Sequence, residues 1–82
     1  MTDIGRARGL DRLPLHEPAR ITEVLGDGAV LVQLLEMGFV RGTEVEVIKR
    51  APLGDPIELR LRGYHVSVRA QEARHVLVEL LK

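Results

Sequence analysis

The sequence predicts a mainly β domain: a small barrel of about five short strands, with one short inserted helix and a helical turn before the last strand. Three observations predict it. Residues 43–50 and 57–62 alternate apolar and charged side chains with a period of two, as half-buried antiparallel strands do. Glycine and proline punctuate the chain around these segments, at Gly42, Pro52, Gly54, Pro56 and Gly63. One stretch, residues 30–37, repeats its apolar positions at the three-and-four spacing of a helix.

Taken in order, residues 1–9 hold two glycines and mixed charge without periodicity and are expected to form a flexible arm, with the domain spanning residues 10–82. Leu10, Leu13 and the stop at Pro14 predict a short helical or 3₁₀ turn laid on the barrel. In residues 19–25 the apolar positions Ile21, Val24 and Leu25 lose their parity near Glu23, which predicts a bulged strand. Gly26-Asp27-Gly28 is a turn, with Asp27 placed to cap the helix carrying Val30, Leu31, Leu34, Leu35 and Met37, which ends at Gly38. Val45 and Val47 then face one way and Glu44 and Glu46 the other. Ile57, Leu59 and Leu61 alternate with Glu58, Arg60 and Arg62 in the same manner. Gly63 separates that strand from residues 64–69 closely enough to require a tight hairpin. Residues 69–74 favour one helical turn and residues 76–81 a last strand. Closing such a sheet would remove its exposed edges.

Size and composition narrow the function. The chain has 82 residues, 45% of them apolar, enough for one modest core. Cysteine is absent, which excludes disulfides and thiolate metal sites. Twelve Lys and Arg balance twelve Asp and Glu, and the aromatic residues are one Phe and one Tyr. Nucleic-acid binding draws on phosphate neutralisation and base stacking, so this balance predicts no nucleic-acid partner. The N-terminus lacks the apolar run of a signal peptide, and no stretch approaches the ~20 apolar residues of a membrane span. The expected location is the cytoplasm, with no direct membrane insertion and a monomer or weak homodimer as the expected state.

Leu10-x-x-Leu13-Pro14, the helix running into Met37-Gly38-Phe39-Val40-Arg41-Gly42, the strand Val45-Glu46-Val47 and the loop Ala51-Pro52-Leu53-Gly54-Asp55-Pro56 come in this order. Arg62-Gly63-Tyr64, Val68-Arg69, Glu72-Ala73 and Val76-x-Val78 follow. Together, over residues 10–80, they resemble the FeoA family. The resemblance implies an SH3-like β-barrel that serves as a cytoplasmic accessory of bacterial ferrous iron uptake. Its implied partner is FeoB, a membrane transporter with a cytoplasmic G domain. A similar barrel ends the iron- and manganese-dependent repressors; a DNA-binding domain is not read ahead of this one, which favours the transport accessory.

Two candidate partner-binding regions follow. One is the end of the helix with its exit, Leu34, Met37, Phe39 and Arg41, where an apolar groove rimmed by charge would receive a partner segment. The ordinary reading of Phe39 is a core anchor, since large apolar side chains of small domains are mostly buried. The other is the loop with Pro52, Leu53, Asp55 and Pro56, whose prolines stiffen it for recognition or merely for the turn. Arg41, Arg50, Arg60 and Arg62 are weighed as arginine fingers toward a G domain, against cross-strand pairing on a wet face.

His16, His65 and His75, with Glu72 three residues before His75, are the candidate metal ligands for zinc or ferrous iron. They are scattered, so binding between subunits is favoured over a site within one chain, and no cofactor is required. A metal-responsive regulatory module is the alternative function. Ser67 and His65 share a strand face, but neither an oriented base nor an oxyanion pocket is signalled, so the chain is not read as an enzyme.

Overall fold

The computed structural model describes residues 7–81. Its elements are β1 (Arg8–Gly9), a 3₁₀ turn (Leu10–Arg12), β2 (Ala19–Val24), α1 (Gly28–Glu36), β3 (Glu44–Arg50), β4 (Ile57–Leu61), β5 (Tyr64–Val68), α2 (Ala70–Ala73) and β6 (Val76–Leu80). The strands form one antiparallel sheet in the order β1-β6-β2-β3-β4-β5. The fold is the mainly β, SH3-like roll that the sequence predicts.

The period-two segments fold as their pattern requires. Val45, Val47, Ile57, Leu59, Leu61 and Val68 are buried, as are Leu10, Leu13, Ile21, Val76 and Val78, and they make one core. The charged alternates lie on the other face: Glu46 stands opposite Arg60, which stands opposite His65. β2 is irregular between Ile21 and Glu23, where the apolar parity is lost, and β3 between Val47 and Lys49. Leu61 pairs with Tyr64 across the two-residue turn Arg62-Gly63. Both turn residues have positive φ, 46° and 90°, as the type I′ hairpin demands.

Four expectations need correction. Arg62 belongs to this turn, because the tight hairpin claims it, rather than to the outward row of the strand. Arg8 and Gly9, placed in the flexible arm, pair with Val78 and Leu77 and supply a sixth strand; a two-residue strand carries no alternation to read. The remainder of the expected arm, residues 1–6, lies outside the described residues. The sheet does not close by pairing its ends: among the described residues β1 pairs with β6 alone and β5 with β4 alone. Finally, Asp27 occupies the N-cap position of α1 but its side chain makes no capping bond. The first turn of α1 is exposed, so its free N–H groups face water and need no side-chain acceptor.

The short α2 is held from two sides. The Glu72 carboxylate accepts the Arg69 N–H at 3.0 Å, and Asp55 Oδ1 accepts the Ala70 N–H at 2.7 Å. A residue of the β3–β4 loop thus performs the work of an N-cap on a helix fifteen residues away.

Candidate partner-binding surface

α1 is built almost wholly from apolar residues, yet only Leu34 is fully buried. A nine-residue helix with one stripe turned to the sheet has no inner position for the others. With 100° per residue, Leu31 and Leu34 share the inward side, while Val32 lies opposite and Leu35 on the flank. Val32 is 52% exposed and Leu35 42% exposed. Being three apart, they are neighbours on the helix surface. Met37, two residues past Leu35, turns to the opposite flank and packs half-buried against the core.

The exit from α1 sets what faces solvent. The Gly38 N–H donates to the Leu35 carbonyl at 3.0 Å and the Phe39 N–H to the Leu34 carbonyl at 3.1 Å, the paired bonds of a Schellman ending. Gly38 has φ 106°, and a Cβ there would run into the Tyr64 hydroxyl. That hydroxyl donates to the Met37 carbonyl at 2.9 Å and ties the helix end to β5. This ending brings together the side chains on either side of the glycine. Leu34 and Phe39 accordingly join the core, at 1% and 0% exposure.

This geometry corrects the expected site residue by residue. Leu34 and Phe39 have no surface to offer, since the helix ending folds both inward. Met37 is half-buried against the core at the helix end and does not neighbour Leu35 on the surface. Arg41 Nε donates to the Thr22 carbonyl at 3.0 Å, which braces the helix exit against β2. Arg50 Nη2 likewise donates to the Leu13 carbonyl at 2.7 Å, and Arg60 is paired with Glu46. These three arginines have structural partners. Exposed Val32 and Leu35 lie outside the expected set of contact residues, although a helix with more apolar residues than one buried face needs is the signal that marks such positions.

The loop over residues 51–56 is compact. Its Gly54 N–H donates to the Ala51 carbonyl at 2.7 Å, and the Ala51 N–H to the Pro56 carbonyl at 3.1 Å. Leu53 at the tip is 96% exposed and Pro52 is exposed, whereas Pro56 is half-buried. Asp55 holds α2 as described and lies 3.8 Å from Arg69 Nη1. Its role in this structure is a tie between loop and helix.

The histidines are held apart. His16 lies 3.6 Å from Glu46, His65 is on β5, and His75 follows α2 beside Glu72, whose carbonyl accepts the His75 N–H at 3.1 Å. Among the described residues no three His, Asp or Glu side chains gather as metal ligands would. The clefts beside the sheet and α2 have volumes of about 240, 160 and 200 Å³, smaller than the ~300 Å³ of ordinary ligand pockets. Among the described residues, exposed Val32 and Leu35 of α1 make a candidate apolar contact.

A description of the FeoA domain matches residues 8–80, nearly all of the chain. The chain belongs to the FeoA family. It is 40% identical over 72 residues to an Fe(2+) transport protein A/Fe(2+) transporter FeoB fusion protein of Porphyromonas gingivalis, an alignment that covers 88% of this chain and 8% of that one. The NMR structure of a FeoA-like protein from Clostridium acetobutylicum superposes with a TM-score of 0.86 at 39% identity, over 94% of this chain and 90% of that one. FeoA of Stenotrophomonas maltophilia, a prokaryotic SH3-domain protein solved with zinc, gives 0.76 at 32% identity over 87% and 88%. The matched segment is thus a small part of the fusion protein, and about nine-tenths of each of the two solved relatives.

Proposed function

We propose that this chain is an accessory of ferrous iron uptake that works on the cytoplasmic side by binding FeoB, with the exposed apolar pair Val32 and Leu35 of α1 as its contact and with no chemistry of its own. The observation that carries this reading is the fusion relative, in which a segment 40% identical to this chain is joined to an Fe(2+) transporter. Joining two domains in one chain raises their effective concentration for one another, which is useful where they meet. An exposed apolar pair is the kind of surface that such a meeting buries. Among the described residues no helix is long and apolar enough to cross a membrane, so in this reading the membrane is reached through the transporter.

Leu53 offers a second, isolated apolar contact at the tip of its loop. No bound metal has a part in the reading. The test is co-purification of tagged FeoB from the same organism with this chain and with the double variant Val32→Asp, Leu35→Asp. The parent is expected to be retained and the variant lost, with the variant's circular dichroism unchanged. Equal retention of both would remove α1 as the contact; no retention of either would end the proposed partnership.

A further inference from the structure

We infer that the free edge of β5 is a second docking site, which takes an extended peptide segment bearing a carboxylate near each end and adds it to the sheet as a further strand. The inference stands apart from the identity of the partner proposed above, because it rests on the hairpin and its charges. Leu61 and Tyr64 flank a two-residue turn, and such a pair exchanges both of its backbone hydrogen bonds. Alternation along the antiparallel ladder then makes Leu59 with Val66, and Ile57 with Val68, the other hydrogen-bonded pairs. His65 and Ser67 fall between them, so their N–H and C=O groups point away from β4.

Among the described residues no other strand meets that edge, and neither residue's backbone bonds elsewhere in the fold. His65 and Ser67 are exposed. The free stretch ends at Arg69, whose N–H is taken by Glu72. Exposed edges are normally blunted by proline, an inward charge or a bulge. β5 has none of these: its sequence is Tyr-His-Val-Ser-Val and its register is unbroken.

The charges choose the occupant. Exposed Arg62 stands just before β5 and exposed Arg69 just after it, and the strand itself carries no acid. Lys49 lines the cleft at Ser67; the acids nearby are Glu58, opposite Ser67, and Asp55, beside Arg69. A second copy added antiparallel would bring Arg62 of each chain toward Arg69 of the other, and like charges facing one another across strands are destabilising. A foreign strand with acidic ends meets the same arginines favourably. Its alternate side chains would lie beside half-buried Val66 on one face and His65 and Ser67 on the other.

The probe is a synthetic seven-residue peptide with an acid at each end and valine alternating with threonine between, titrated into the full ¹⁵N-labelled chain. The His65 and Ser67 amides are expected to shift most, and N-methylation of the peptide's central amides is expected to abolish binding while its charges remain. Ser67→Pro removes an outward N–H and leaves the β4 bonds intact, and should weaken binding about tenfold; Arg62→Glu, which does not touch the ladder, should weaken it severalfold. Equal binding of the N-methylated peptide would overturn the inference, and so would shifts confined to α1. Concentration-dependent shifts of His65 and Ser67 without peptide would also overturn it, by showing that a second copy is the occupant.

Discussion

Replacing Phe39 with alanine separates a core anchor from a contact residue. The side chain is 0% exposed and shares the core with Leu34. Phe→Ala at such a site costs about 3–5 kcal/mol, the transfer of the ring plus the cavity it leaves. A single domain of this length has about 4–12 kcal/mol of total stability, at roughly 0.05–0.15 kcal/mol per residue. The variant therefore loses about a quarter of its stability or more, and at the low end of that range falls to the edge of folding. Urea unfolding is the assay, followed by far-ultraviolet circular dichroism because the chain has no tryptophan. With a slope of about 1 kcal/mol per molar for a small domain, the midpoint should drop by roughly 3 M. Val32→Ala, at an exposed position, should move it by less than about 0.5 M. A Phe39→Ala midpoint within about 1 M of the parent, with FeoB retention lost, would show that Phe39 meets the partner and that its burial here is not its working state.

Three further substitutions probe the supports of the surface. Tyr64→Phe removes the hydroxyl bond to Met37 and should lower stability by about 1 kcal/mol, with faster amide exchange at residues 35–38. Asp55→Ala should cost about 1–2 kcal/mol by uncapping Ala70, and should loosen α2 in exchange experiments while β3 and β4 stay protected. Thr43 is buried, and its hydroxyl has no hydrogen-bond partner among the described residues. Thr43→Val should therefore raise the urea midpoint or leave it unchanged, by up to about 1 kcal/mol; a loss of that size would reveal a bond that the hydroxyl makes.

Much of the fold is legible in one dimension because its signals are local. Alternation in residues 43–50 and 57–62, the spacing of Val30 to Met37, and the glycine between Leu61 and Tyr64 each span a few residues and name their element directly. The FeoA motifs are legible for the same reason. The candidate surface is less so. Apolar content draws attention to α1, but the apolar residues of one helix look alike until something covers one side of them. The sheet and the Schellman ending take Leu34 and Phe39, and leave Val32 and Leu35.

Asp55 and Arg41 teach the same lesson for polar groups. From the sequence each was a charge on a loop or helix exit, available to a partner; in the structure one caps α2 and the other braces β2. Pattern along the chain set the period of each element, the positions of its turns and the family to which it belongs. Which apolar side chains stay in water, which charges are already engaged, and that β5 is left as an edge depend on contacts between residues far apart in sequence. Burial and hydrogen bonding are properties of neighbours in space, and the spacing of residues along a chain does not contain them.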